Sequence, residues 1–117
     1  MDIETLRTYC LAKKAVTEGL PFGEDTLVFK VAGKMFALIS LSDPSAVNLK
    51  CDPEYALELR AEHPEDILPG YHMNKKYWNT VSTRLPGQLL RSLMDHSYDQ
   101  VLAGLSKRER AAFDSAE

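Results

Sequence analysis

The sequence predicts an α+β fold, an antiparallel sheet with helices packed on it, formed by one domain over residues 1–117. Three observations predict it. Between Leu27 and Leu41 the residues alternate with the period of two that marks strands, on either side of an Ala32-Gly33 turn. From Leu90 onward the period becomes helical, with Leu90, Met94, Ser97 and Val101 in one stripe reinforced by Leu93 and Leu105. A chain of 117 residues, 44% apolar and 26% charged, suits one core rather than two domains or a disordered segment.

The elements follow in order. Asp2 is placed to cap a first helix over residues 3–14, with Glu4 early, Lys13 and Lys14 late, and Ile3, Leu6 and Cys10 as its apolar stripe. Gly19, Pro21 and Gly23 then break any helix. Leu27, Phe29 and Val31 alternate with Val28 and Lys30 in one strand, and Ala32-Gly33 closes a hairpin. In the next strand Met35, Ala37, Ile39 and Leu41 alternate with Phe36, Leu38 and Ser40, apolar enough on both sides to be central. Asp43-Pro44 marks a turn, and 46–50 reads as a third strand. Asp52-Pro53-Glu54 is a strong helix start, and that helix runs to about Ala61 before Pro64. Tyr77 to Thr83 reads as a strand, 87–104 as a long helix and 107–113 as a short terminal one. The expected buried set on the three main helices is Leu6, Cys10, Leu59, Leu90, Leu93, Met94 and Val101.

Several classes are excluded. The longest apolar run, Met35 to Ile39, is far shorter than the roughly 20 residues of a transmembrane helix. The start of the chain, with Asp2 and Glu4, does not resemble a targeting peptide. Two cysteines make no disulfide framework, and His63, His72 and His96 share no metal-ligand spacing. No glycine-rich phosphate loop is present. The expectation is a cytoplasmic protein with no metal, no cofactor, no membrane association and no small-molecule ligand.

Charge is regional. The formal net is −3. Residues 52–66 carry six acids against one base, whereas 67–94 carry Lys75, Lys76, Arg84 and Arg91 with no acid. Residues 29–51 add Lys30, Lys34 and Lys50 against Asp43 alone. The segment from Tyr71 to Thr80 combines lysines, an imidazole, two amides and three aromatics, the groups that contact phosphates, base edges and base faces. The competing reading packs Tyr77 and Trp78 on the helices and leaves the lysines solvated.

One catalytic constellation is chemically coherent. Cys51 precedes a helix and could be a thiolate with His72 as its base. Asp52, however, is better used as the cap of that helix, and its charge opposes thiolate formation. The expectation is therefore no catalysis.

Four blocks, Phe29 to Ala37, Asn48 to Pro53, Tyr71 to Thr80 and Asp95 to Tyr98, resemble in order and spacing those of the MmcQ/YjbR family of small bacterial proteins. The resemblance implies an α+β sandwich of the double-wing kind, grouped with frataxin-like topologies, and a label of DNA binding. It places the family's basic hairpin on Lys30 and Lys34 and its most distinctive motif on His72, Asn74, Lys75 and Trp78. The resulting expectation is a non-enzymatic, regulatory DNA-binding protein. Lys30, Lys34, Lys50, Lys75, Lys76 and Arg84 would meet phosphates, with His72 and Asn74 nearest the bases and Trp78 in the same binding segment. Its acidic total argues against tight non-specific binding. The alternative is a protein-interaction or adaptor domain that uses the acidic helix or the aromatic segment and binds no nucleic acid.

Overall fold

At the Ala32-Gly33 turn both residues take positive φ, 51° and 75°, the geometry that matches a two-residue hairpin to the twist of its strands. In the computed structural model, which describes residues 1–116, this hairpin joins β2 (Thr26–Val31) to β3 (Lys34–Ser40). The remaining strands are β1 (Val16–Gly19), β4 (Ala46–Lys50), β5 (Ile67–Pro69) and β6 (Trp78–Ser82). They form one six-stranded sheet in the order β1-β2-β3-β4-β6-β5, antiparallel at every junction. The helices are α1 (Ile3–Leu11), α2 (Pro53–Glu62), α3 (Gly87–Ala103) and α4 (Lys107–Ser115). None of them is long and apolar enough to cross a membrane.

The helices cover one face of the sheet. Leu27, Phe29, Val31, Ile39, Val47, Leu49, Ile67 and Val81 point to it and share a core with Leu6, Cys10, Ala56, Leu59, Leu90, Leu93, Met94 and Val101. All seven helix residues expected inside are buried. Asp2 caps α1 and Asp52 caps α2 through bonds from Thr5 N–H (2.8 Å) and Tyr55 N–H (3.1 Å).

Three features depart from the sequence reading. First, α1 ends at Leu11 instead of 14. Lys13 pairs with Asp95 of α3, and the Lys14 carbonyl accepts from Tyr98 Oη (2.7 Å), so tertiary contacts hold the last turn open. Ala15 then turns at φ 60° into β1. Second, β1 and β5 occupy stretches to which the sequence reading assigns no element; both are short sheet edges, and β5 ends in a proline. Third, β3 does not alternate strictly. Phe29 pairs with Ala37 but Lys30 pairs with Met35, so Phe36 is an extra residue in a β-bulge. Phe36 and Ala37 both enter the helix-side core, and Met35 turns to the other face. Buried Ser97 of α3 closes the irregularity: its Oγ donates to the Phe36 carbonyl (2.5 Å) and accepts from Lys50 N–H (2.8 Å).

Candidate functional site

The helix-free face carries a cleft. By register, Val28, Lys30, Met35, Leu38, Ser40, Asn48, Lys50, Trp78 and Thr80 point to this side. Val28, Leu38 and Trp78 are buried there in a cluster of their own, packed with Met35 and Met73. Two loops supply the cover. Residues 20–25 bring Phe22 and Asp25, and residues 70–77 bring Tyr71, His72 and Met73. Between them lies a cleft of about 650 Å³, floored by Met35 and Leu38 and edged by Thr26, Ser40 and Asn48. That volume is within the usual range for ligand sites.

The second loop is fastened by polar groups of the sheet. Gly70 N–H donates to the Trp78 carbonyl (2.8 Å), and Tyr71 N–H donates to Thr80 Oγ1 (2.8 Å). Thr80 in turn donates to Asn48 Oδ1 (2.5 Å). From the helix side, Arg60 of α2 donates to Asn79 Oδ1 (2.7 Å) and to the carbonyls of Lys75 and Trp78. The loop is thereby held over the sheet with Tyr71 69% exposed in the cleft lining, to which the other loop contributes Phe22 at 64%. The His72 ring lies 4.0 Å from that of Tyr71, and His72 takes φ 59°, a conformation that costs a non-glycine residue energy and so needs a reason. At the opposite edge, Asp25 accepts from Ser40 Oγ (2.8 Å) and Ser42 N–H (2.9 Å). The bonds from Ser42 and Ser40 hold its carboxyl below the usual range, so it is a carboxylate at neutral pH.

The residues singled out from the sequence divide into groups. His72 lines the cleft. Lys50, Asn74 and Trp78 meet with Tyr77 in a second depression, shared with Pro53 of α2 and with Gln100, Ala103 and Gly104 at the end of α3. Lys30 stands at the same end of the sheet as Lys50, across β3. Their backbones are about 10 Å apart at the usual strand spacing. Lys75 and Lys76 are exposed on the loop, with the Lys76 ammonium 5.5 Å from the centre of the Tyr77 ring. Arg84 is exposed in the turn after β6, at the opposite end of the sheet from Lys50, because Lys50 pairs with Trp78 and Ala46 with Ser82. Lys34 does not join them: it pairs in register with Val31, a helix-side residue, and its ammonium meets Glu109 of α4 (3.6 Å). Trp78 is only 8% exposed, part of the cleft's foundation. The Asn74 side-chain oxygen accepts from Lys76 N–H (3.0 Å) and so builds the loop.

Cys51 and His72 are not neighbours in one site. Cys51 is buried beside His96, whose Nε2 accepts from Asp52 N–H (3.1 Å), and burial and the Asp52 charge push its thiol up to about 11. Sequence reasoning missed Phe22, Asp25 and Asn48 as site residues. Phe22 lies between breakers, and Asn48 is the one polar residue among Val47, Leu49 and their core partners, a usable signal.

A family model described as YjbR matches residues 11–100. The chain belongs to the YjbR family. It is 41% identical over 113 residues to YbdF of Escherichia coli O157:H7, covering 92% of this chain and 89% of that one. It is 34% identical to YjbR of Escherichia coli K12, covering 94% and 95%. The crystal structure of protein DR2400 of Deinococcus radiodurans superposes with a TM-score of 0.89 at 40% identity, over 96% of this chain and 87% of the other. A Pseudomonas syringae protein gives 0.68 at 25% identity, over 86% and 98%. The YjbR fold is thus common to this chain and its relatives, and the α+β expectation stands.

Proposed function

We propose that this YjbR protein is a binding module, not an enzyme, that engages DNA in the cytoplasm through the helix-free face of its sheet. One observation carries the reading: charge is sorted by face. The strand residues on the open face include Lys30 and Lys50 and no carboxylate. The helices carry Glu54, Glu58 and Glu62 of α2, Asp95 and Asp99 of α3, and Glu109 and Asp114 of α4, while on the open side the covering loop adds Asp25 at the cleft's edge. Among the described residues Lys30, Lys50, Lys75, Lys76 and Arg84 make no ion pair, so no carboxylate competes with a phosphate for them. An acidic total is then compatible with one cationic side, because screening at physiological salt confines each charge to about 8 Å.

The test is binding of a random duplex and of an unstructured single strand at low salt. Affinity falls with salt, by about 0.9 in log–log slope per duplex phosphate neutralised. A Lys30→Glu, Lys50→Glu variant loses binding, and Lys34→Glu, on the helix side beside Glu109, keeps it. No binding at low salt, or equal losses for Lys34→Glu and the double variant, overturns the proposal. The exposure of Phe22 and Tyr71 favours a second reading, an adaptor domain that grips an apolar segment of a protein partner. Recovery of a stoichiometric protein partner by the wild type but not by Tyr71→Ala, with no nucleic acid bound, selects that alternative.

A further inference from the structure

The cleft is chemically polarised along its length. Lys30 and Met35 are cross-strand partners at one end, and Thr26 and Ser40 are partners at the other, beside Asp25. Four residues of strand separate the two rows, about 13 Å. Lys30 lines the adjoining depression with Val28 and Leu20, so one end of the cleft adjoins a cation, the other holds a carboxylate, and the middle is an apolar floor beside aromatic rings. A nucleotide has the complementary order: an anionic phosphate, then a flat heterocycle, then an edge of hydrogen-bonding groups.

We propose that the cleft receives one unstacked base of a single-stranded nucleic acid, and that Asp25 selects guanine there. This rests on the nucleic-acid reading above and adds to it a strand form and a base. Tyr71 and Phe22 supply the faces on which the base stacks, which is tolerant of sequence. Asp25 supplies the choice. Each of its oxygens accepts one bond within the protein, from Ser42 N–H and Ser40 Oγ, and a carboxylate has about four acceptor positions, so one remains on each oxygen. Guanine presents two adjacent donors, N1–H and the N2 amine, to match a two-oxygen acceptor. Cytosine and adenine present one amine beside an acceptor, and thymine one N–H between two carbonyls. In a duplex that guanine edge is already paired, so the cleft reads only an open strand. The same carboxylate repels phosphate and so directs the backbone toward Lys30.

The experiment measures fluorescence anisotropy of labelled dT12 and of the same strand with one central dG. The expected wild-type preference for the dG strand is about five-fold or more, the lower end of what a good bidentate base contact contributes. Asp25→Asn, which retains the shape and one acceptor oxygen, removes that preference, so that the variant binds the two strands equally. Tyr71→Ala weakens both strands about five-fold or more. Equal affinity for the two strands, with salt-dependent binding intact, overturns the guanine site and leaves the nucleic-acid reading standing. Failure of both strands and of the duplex to bind at low salt overturns both. Guanosine monophosphate binding as tightly as the dG strand overturns the assignment to a strand and identifies a free nucleotide as the occupant.

Discussion

Ser97→Ala removes one oxygen atom and leaves two backbone groups without their partner. The Ser97 hydroxyl is fully buried, and it bridges Phe36 of the β3 bulge to Lys50 at the end of β4. Ser and Ala are close in volume, so no sizeable cavity opens and the cost is one of hydrogen bonding. A buried group deprived of its partner costs about 1–3 kcal/mol. The Phe36 carbonyl is buried and outside the strand pairing, so it incurs a full share, whereas Lys50 N–H is half-buried and incurs a smaller one. The expected loss is about 2–4 kcal/mol, a large part of the roughly 5–15 kcal/mol that stabilises an ordinary domain. At this chain length it lowers Tm by about 8–15 °C. Urea unfolding followed by the fluorescence of Trp78, the chain's single tryptophan, measures it. Ser115→Ala, on the exposed face of α4, is the control and changes stability by less than about 0.5 kcal/mol. A loss below about 1 kcal/mol for Ser97→Ala, at an unchanged urea slope, would refute the bridging role.

Three further outcomes are expected. Ala32→Asn raises stability by about 0.5–1 kcal/mol, because Ala32 holds φ 51° in a turn that favours Asn-Gly; an unchanged or lower Tm contradicts this. Gly70→Ala costs about 1–3 kcal/mol and shifts Trp78 emission to the red, since the new Cβ would lie 2.7 Å from Trp78 Cβ and 3.0 Å from its carbonyl oxygen; an unchanged spectrum and midpoint contradict it. Stability declines above about pH 9: burial, with the Asp52 charge, pushes the Cys51 thiol from 9.0 up to about 11, so the unfolded chain loses its proton first and favours unfolding between those values. Tm measured from pH 7 to 11 checks this, and a decline equally steep in Cys51→Ala would rule out that thiol as a source.

The helices were legible in the sequence because their signals are local. Asp52-Pro53 fixes the start of α2, and the stripe from Leu90 to Val101 fixes the buried face of α3, Ser97 included. The misses are places where distant residues decide. Nothing near Leu11 ends α1; Asp95 and Tyr98, more than eighty positions away, do so by engaging Lys13 and Lys14. Strict alternation along β3 would place Met35 with Ala37 in the core and Phe36 opposite, and the bulge reverses both. The cleft was hidden for the same reason. Its walls come from residues 22–25 and 71–73, its floor and edges from three strands, and its fastening from Asn48, Thr80 and Arg60.

The bulge also explains why the open face can hold a site at all. Without it, Phe36 would fall opposite Lys30 and project from the helix-free side, filling the space above Leu38, and Met35 would be driven into the core. With it, the larger aromatic ring is in the core, edge-on to Tyr98 at 5.5 Å, and the unbranched Met35 floors the cleft beside the cation. Methionine adapts its shape to what lies against it, and Met73 from the loop meets the same cluster, so the base of the cleft is deformable while its rim is fixed by hydrogen bonds. Ser97, which satisfies the bulged carbonyl from the far side of the sheet, therefore supports the cleft as well as the core. Loss of that bond acts on both faces, and stability and ligand affinity are expected to fall together in Ser97→Ala, whereas Asp25→Asn, on the exposed rim, removes the base preference.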